Sequence, residues 1–148
     1  MRKSVKAAVL ESPGKIDIRT FPYPKLGEGA AICKVILSGI CGTDKHSYRG
    51  ESVQYKGTKN EINLPYPIIQ GHENVLLIEE IDEIGARTLE FDGNILKAGD
   101  RVTMCPDVVC GKCWYCKNFP TYPWCDNMRF SYGNMRSCNE GQHLYGGF

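Results

Sequence analysis

The sequence lacks an excess of charge of either sign. Its 18 Lys and Arg residues are balanced by 17 Asp and Glu residues, which gives a formal net charge of +1. A surface for nucleic acid or for an anionic membrane would need a clear surplus of Lys and Arg. The composition therefore gives no reason to expect nucleic acid or a membrane surface as a partner.

The sequence also lacks a long apolar run. No stretch approaches the roughly 20 apolar residues that a membrane-spanning helix needs. The N-terminal segment carries two early basic residues, but Glu11 and Lys15 interrupt the apolar region that an export signal would require. We therefore expect a chain that is not exported and that acts in the cytoplasm.

Cysteine, in contrast, is plentiful, with eight residues in a chain of 148. In a chain that is not exported, closely spaced cysteines are typical of metal binding rather than of disulfides. One run of sixteen residues, CGKCWYCKNFPTYPWC, contains four of them: Cys110, Cys113, Cys116 and Cys125. Four thiolates can converge on one tetrahedral Zn²⁺, and a closed site of this kind is structural.

A second and chemically different set of ligands lies upstream, in the segments Cys41-Gly-Thr43-Asp44-Lys-His46 and Gly71-His72-Glu73. A thiolate, an imidazole and a carboxylate are typical ligands of a catalytic zinc, which keeps one position open for substrate. Cys41 and His72 each follow an apolar, strand-like run, so neighbouring strands can bring them together. The pattern predicts a zinc site at Cys41 and His72, with Glu73 as a direct ligand or one that exchanges with water.

Three side chains near these ligands suit the chemistry of an alcohol. Bound zinc lowers the pKa of a water or an alcohol towards ~7, so that an alkoxide becomes accessible at neutral pH. Thr43 and His46 then offer a path for the proton, from hydroxyl to imidazole to solvent. Asp44 can accept the second ring N–H of His72 and fix its tautomer, or it can cap a helix, and the two roles are compatible.

The rest of the pattern predicts mainly β structure with few short helices. A hairpin is expected from residues 5–10 and 15–20, a buried strand at 30–38, and further strands at 74–84 and 99–104. A turn is expected at 91–95 and one helical turn after Asp44. From Cys105 onward the pattern disappears, and a stretch this irregular needs a bound metal to hold it.

Taken together, these motifs resemble those of the zinc-dependent medium-chain alcohol dehydrogenases. The chain carries G-x-C-G-T-D-x-H at residues 39–46, G-H-E at 71–73, G-D-R-V at 99–102 and the cysteine cluster at 110–125, in that order. The resemblance covers essentially the whole chain. It implies that residues 1–148 form a GroES-like catalytic domain, a strongly twisted, partly closed β-barrel with an irregular zinc-bound lobe at about 105–138.

The resemblance also implies roles for the motif residues. Cys41 and His72 become ligands of the catalytic zinc, and Glu73 lies near the metal or binds it, as in the polyol-dehydrogenase branch of the family. Thr43 and His46 become the proton relay. The four clustered cysteines bind the structural zinc, although Cys125 follows the third cysteine by nine residues where the family usually has eight.

The nicotinamide-binding half of this family is a Rossmann domain that opens with a glycine-rich turn. No G-x-G-x-x-G occurs here, and the nearest attempt, Gly27-Glu-Gly29, has Ile32 at its third position. We therefore expect an N-terminal piece that is inactive alone. The resemblance implies that the complete enzyme oxidises an alcohol or polyol with NAD or NADP, with a homo-oligomer as an open possibility.

Two other functions deserve comparison. A zinc-stabilised β-barrel acting only in binding or assembly would have no use for an open metal site, so the intact set around Cys41 and His72 argues against it. A zinc deaminase would carry H-x-E followed by P-C-x-x-C. That pattern is absent, because His72 and Glu73 are adjacent and Val109 precedes Cys110. Of the remaining cysteines, Cys33 is expected in the core, whereas Cys105 and Cys138 can compete for metal or oxidise.

Overall fold

The computed structural model describes residues 4–51, 53–54, 56–59, 61–119, 125–128, 130–141 and 144–148. Within them lie the strands β1 Ser4–Ser12, β2 Lys15–Pro22, β3 Ala31–Gly39, β4 Val53–Gln54, β5 Ile62–Asn63, β6 Ile68–Ile69, β7 Glu73–Ile81, β8 Arg101–Thr103, β9 Asp107–Val108 and β10 Phe130–Ser131. The helices are α1 Gly42–Tyr48, α2 Glu83–Thr88 and α3 Trp114–Asn118. None of these described helices has the length and apolar character needed to cross a membrane. The expected mainly-β architecture with few short helices is confirmed.

The first sheet has the strand order β2-β1-β6 and is antiparallel. The expected hairpin is present, closed by a turn in which Gly14 has a φ of +76°, a conformation that favours glycine. Val9, Leu10 and Ile68 are at most 1% exposed. Strand β1 pairs with β6, with Val9 opposite Ile69 and Leu10 opposite Ile68. The core of the chain therefore lies where this sheet is covered.

The second sheet has the order β3-β7-β8, also antiparallel, and its register positions the candidate site. Gly39, the last residue of β3, is paired with Glu73, the first residue of β7. Cys41 lies two residues beyond the end of β3, and His72 lies one residue before the start of β7. Because the two strands run antiparallel, the end of β3 lies beside the start of β7, and both residues lie at the same end of these strands, at one edge of the sheet.

Two expectations about this sheet need correction. The apolar run of β3 reads as a buried strand, but Ile36, Leu37 and the following Ile40 are 51%, 66% and 72% exposed. The strand expected at 74–84 ends at Ile81, because Asp82 starts helix α2. Apolar residues alone do not distinguish a strand that continues from one that stops at a helix cap.

Asp82 caps α2 by accepting hydrogen bonds through its carboxylate. The N–H of Gly29 donates to Oδ2 and the N–H of Gly85 donates to Oδ1, both at 2.7 Å. The Gly29 bond, followed by the Gly85 bond, lowers the pKa of Asp82 below its ordinary value. The carboxylate thus joins the start of α2 to the turn that precedes β3.

The segment after Cys105 contains more regular structure than its sequence suggests. Strands β9 and β10 pair antiparallel, with Val108 opposite Phe130 and Asp107 opposite Ser131. Helix α3 lies between them in the chain. Strands of two residues are too short to show an alternating pattern, which explains why they were not expected. Residues 120–124 and 129 of this lobe lie outside the described residues, and the turn expected at 91–95 has no strand on either side.

Candidate active site and metal centres

The four cysteines of the 110–125 run converge. Their Sγ atoms all lie within 4.8 Å of one another. Cys113 caps α3, Cys116 lies one turn later in that helix, and Cys125 is 4% exposed. Zinc–sulfur bonds of about 2.3 Å place tetrahedral sulfur ligands roughly 3.8 Å apart, so small side-chain movements would suffice to close the site around an ion. The residues present fit a structural zinc.

Backbone N–H groups surround these sulfurs. Cys125 Sγ accepts hydrogen bonds from the N–H groups of Cys110 and Asn127, at 3.2 and 3.3 Å. The pKa of Cys110 is lowered to about 6, mainly by the N–H of Lys112, and the pKa of Cys113 is lowered mainly by the N–H of Cys116. Such donors favour the thiolate, which is the form that binds metal.

Cys116 differs from the other thiols of the cluster. Its pKa is raised to about 12, mainly by desolvation and then by its contact with Cys113, whose Sγ lies 3.5 Å away. Several thiolates crowded together repel one another, so not all of them ionise at neutral pH without a cation. A divalent metal would remove that repulsion.

Among the described residues, the cysteine cluster is the only group of three or more His, Cys, Asp or Glu side chains whose ligand atoms come this close together. Cys41, His72 and Glu73 lie at one edge of the second sheet but are not drawn into such a group. What connects the first two is a buried carboxylate, that of Asp44.

Asp44 is 3% exposed and lies in the first turn of α1. Its Oδ2 accepts the N–H of Cys41 at 2.8 Å, which caps the helix. Its Oδ1 lies 3.6 Å from Nδ1 of His72, and its main-chain oxygen accepts a hydrogen bond from Gln70 Nε2 at 3.2 Å. One buried carboxylate therefore faces both the backbone of Cys41 and the ring of His72.

His72 is held in a crowded place, with its side chain 11% exposed. Gly71 before it has a φ of +92°, and a Cβ at that position would lie 2.7 Å from both the ring of Phe148 and the hydroxyl of Ser38. Only glycine fits this conformation and this space. Steric crowding therefore explains why the first residue of the G-H-E motif is glycine. Nδ2 of Asn134 lies 3.5 Å from His72 Nδ1, a contact that no sequence motif indicated.

Glu73 is exposed and begins β7. Its Oε2 would lie 2.8 Å from a Cβ built on Gly39, so the carboxylate occupies the space that a side chain at position 39 would take. Gly39 stands two residues before Cys41. The glycine that opens the first motif therefore leaves room for the carboxylate of the second.

Thr43 and His46 lie three residues apart on α1, where side chains at this spacing share one face. Cys41 Sγ is 3.8 Å from the hydroxyl of Thr43. The His46 ring is 59% exposed, and its Nδ1 is paired with the carboxylate of Glu51. The helix thus leads from the sulfur of Cys41 to an imidazole in contact with solvent. Glu51 was not expected, because nothing in its local sequence marks it.

All eight cysteines have free thiols. Outside the cluster, Cys105 is exposed, with Sγ 3.8 Å from the carbonyl oxygen of Asp107. Cys138 is partly buried and lies 3.6 Å from a guanidinium nitrogen of Arg19. Cys33, expected in the core, is only partly buried, and that burial raises the pKa of its thiol. None of these three belongs to the metal-binding group.

The chain is similar to known dehydrogenases. Sorbitol dehydrogenase of Bacillus subtilis (strain 168) is 34% identical to it over 128 residues, which are 86% of this chain and 32% of that protein. 5-exo-Hydroxycamphor dehydrogenase of Pseudomonas putida is 31% identical over 125 residues, 84% of this chain and 31% of the relative. The chain thus spans about a third of the length of the curated relatives it matches.

Solved structures agree with this similarity. An alcohol dehydrogenase from Thermotoga maritima superposes with a TM-score of 0.75 at 29% identity, covering 96% of this chain and 36% of that one. An alcohol dehydrogenase from Escherichia coli CFT073 complexed with NADH gives 0.65 at 28% identity, covering 95% and 35%. Residues 27–146 match the model of the alcohol dehydrogenase GroES-like domain. The fold is GroES-like, and the family model matches most of the chain. The chain therefore belongs to the alcohol dehydrogenase GroES-like domain family.

Proposed function

We propose that residues 1–148 are an incomplete catalytic domain of a zinc-dependent dehydrogenase, one that oxidises an alcohol or polyol by hydride transfer to a nicotinamide cofactor. The observation that carries this proposal is the buried carboxylate of Asp44. It faces the backbone of Cys41 and the ring of His72 at one edge of a sheet. A purely structural domain could use the cysteine cluster, but it has no need to hold Cys41 and His72 beside a buried carboxylate.

Two metal sites with different donors follow from this proposal. The closed one is the cluster of Cys110, Cys113, Cys116 and Cys125, which would stabilise the lobe. The open one would be held by Cys41, His72 and Glu73. A zinc ion in the open site would lower the pKa of a substrate hydroxyl towards neutrality.

The chain's own residues would then orient the histidine and move the proton. Asp44 Oδ1 lies 3.6 Å from Nδ1 of His72, where it would accept the Nδ1 proton and so leave Nε2 free to act as a ligand. The Thr43 hydroxyl, close to Cys41 Sγ, takes the proton released by the substrate hydroxyl. His46 passes it to solvent, because its ring is exposed and paired with Glu51.

The cofactor and the rest of the substrate site are assigned to a part of the enzyme beyond this chain. We infer a Rossmann domain that binds NAD or NADP in the complete enzyme, since the chain spans about a third of its relatives and a similar solved structure holds NADH. The relatives named for sorbitol and hydroxycamphor support an alcohol or polyol substrate. Alone, the chain is expected not to turn over substrate. We also infer a cytoplasmic location, in keeping with cysteines that cluster as candidate metal ligands.

The test is to measure the number of metal ions bound per full chain and whether one of them has an open coordination position. Protein purified anaerobically without chelators should hold two zinc ions per chain. With Co²⁺ in place of zinc, a primary alcohol or polyol should alter the visible spectrum, because only a metal with an open position takes a new ligand. His72→Gln should lose one metal together with the spectral response. The matched control, His46→Gln, should keep both.

One metal per chain and a spectrum that ignores alcohols would contradict the proposal. That result would favour the alternative, a zinc-stabilised β-barrel module for binding or assembly. Loss of the folded state in His72→Gln would also count against a ligand role, since it would show a histidine required by the core.

A further inference from the structure

The lobe that carries the cysteine cluster reaches back to the candidate active site. Asn134, three residues beyond the end of β10, is 7% exposed, and its Nδ2 lies 3.5 Å from His72 Nδ1. Among the described residues of the lobe, it is the one whose side chain makes a polar contact with the ring of His72. No role assigned so far explains a buried amide at this place.

Two glycines bring Asn134 to the histidine. A Cβ on Gly133 would lie 2.9 Å from the oxygen and 3.1 Å from the nitrogen of Gly71, so the two backbones are in direct contact. Gly133 has a φ of +77°, as only glycine readily adopts. Each glycine immediately precedes the residue in question, and their contact therefore sets Asn134 beside His72.

Hydrogen bonds of the surrounding backbone keep the turn in place. Tyr132 N–H donates to the carbonyl oxygen of Pro106 at 2.8 Å, and Met135 N–H donates to that of Ser131 at 3.1 Å. Gly133 N–H donates to the carbonyl oxygen of Tyr145. The position of Asn134 is thus defined by main-chain contacts on both sides. A backbone fixed in this way can keep the Asn134 side chain beside the ring of His72.

The polar atoms around His72 Nδ1 indicate what Asn134 does. Asp44 Oδ1 lies 3.6 Å from this nitrogen, and among the residues that the structure describes neither Asp44 Oδ1 nor Asn134 Oδ1, both of them buried, has a hydrogen-bond partner. A carboxylate only accepts, and an amide turned by 180° presents its oxygen where its nitrogen was, without a change of shape. A proton on Nδ1 could be donated to both oxygens. A lone pair on Nδ1 would instead leave Asp44 Oδ1 without a donor.

We propose that Asn134 is a positioning residue for His72. Together with Asp44, it holds the imidazole as the Nδ1–H tautomer and in one orientation, which leaves the Nε2 lone pair free for a metal. Asn134 touches neither the substrate nor the metal. The proposal rests on the proposed function in one respect, that His72 is a metal ligand.

The test uses the full chain and two independent measurements. The first is the tautomer of His72 in the chain with its second metal site empty, read from the ¹⁵N shifts of its ring and assigned with His72→Gln. The second is the dissociation constant of the second Co²⁺, measured by competition with a chelator. We expect Nδ1–H in the parent chain. In Asn134→Leu, of similar shape, we expect a mixture with Nε2–H and a second-metal affinity roughly 10- to 100-fold weaker, with the tetrathiolate absorption unchanged.

Two further variants sharpen the test. Asn134→Asp keeps an acceptor oxygen and should recover the parent tautomer. Ser137→Ala removes a buried hydroxyl from the same segment, where it donates to the carbonyl oxygen of Pro67 at 3.0 Å. Within the described part of the chain, the polar contacts of the His72 ring are with Asp44 and Asn134. Ser137→Ala should therefore alter neither the tautomer nor the affinity, even if the lobe becomes less stable. If Asn134→Leu does not fold, Asn134→Ser removes the amide with less apolar bulk and carries the same expectation.

The outcomes separate this proposal from the one on which it rests. An Nε2–H tautomer in the parent chain, or a tautomer and affinity that Asn134→Leu leaves unchanged, would overturn the role of Asn134 while two bound metals kept the proposed function intact. Conversely, a tautomer that depends on Asn134 in a chain that binds a single metal would support the positioning role and reject the catalytic site.

Discussion

Replacing Cys125 with serine tests the cysteine cluster directly. Cys125 is 4% exposed, and its sulfur lies within 4.8 Å of three others while it accepts two backbone N–H groups. Serine presents an oxygen that can still accept from these N–H groups, but it is a poor zinc ligand. The substitution therefore removes the metal with little change in the local hydrogen bonds.

The size of the effect follows from linkage between binding and folding. A metal present at 1,000 times its dissociation constant stabilises the native state by about 4 kcal/mol. For a domain of this length, each kcal/mol moves the melting temperature by about 2–4 °C. In excess zinc, we therefore expect Cys125→Ser to melt about 8–16 °C below the parent chain. With a strong chelator the two proteins should melt within a few degrees of each other.

The assay is thermal unfolding followed by circular dichroism, with zinc counted on the same samples. Cys105→Ser is the matched control, because its exposed sulfur contacts the carbonyl oxygen of Asp107 and lies outside the cluster. It should keep the zinc content and the melting temperature of the parent. Equal melting temperatures for Cys125→Ser and Cys105→Ser in excess zinc, with equal zinc content, would refute the reasoning.

Three other substitutions, the first with a matched control, test how the fold is held, each by urea or thermal unfolding. Gly147→Ala would press a Cβ into a buried side-chain amide and should cost about 1–3 kcal/mol, whereas Gly27→Ala, with its nearest neighbour at 3.8 Å, should be nearly neutral. Ile68→Ala, at a site that is 0% exposed, should cost about 2–5 kcal/mol. Asp82 has its pKa lowered mainly by the Gly29 N–H, so its stabilising effect is present above its unfolded pKa and lost as pH falls through the folded value. Asp82→Asn should therefore flatten the acid side of the stability curve, and an unchanged acid slope would contradict the cap.

The parts of the site that the sequence predicts well are those set by local spacing. Cys113 precedes α3 and Cys116 lies three residues later within it, while Cys125 follows only nine residues further along the chain. Cys41 and His72 were placed at the ends of apolar runs, and the register of β3 with β7 does bring both to one edge. Periodicity and spacing reveal such features because they depend on neighbours in the chain.

The parts that the sequence does not reveal depend on contacts between distant segments. Asn134 is 62 residues from His72 and reaches it through a contact between two glycine backbones. A buried asparagine after a glycine looks the same as one in a surface turn. Helix α2 is a different case, since Asp82 followed by Glu83 is a plausible helix start, but the apolar run before it favoured a longer strand.

The structure gives a physical reason for a metal in the lobe. Two of the large apolar side chains of its 110–119 segment, Trp114 and Phe119, are 62% and 51% exposed, so the segment has little core of its own. A tetrathiolate site can supply the stability that burial does not. The cluster lies between β9 and β10, which pair with each other, and β10 leads to Asn134. Holding the lobe together would therefore also define the path of the chain into the contact with His72, so that a metal in the cysteine cluster would contribute to the geometry of the proposed open site.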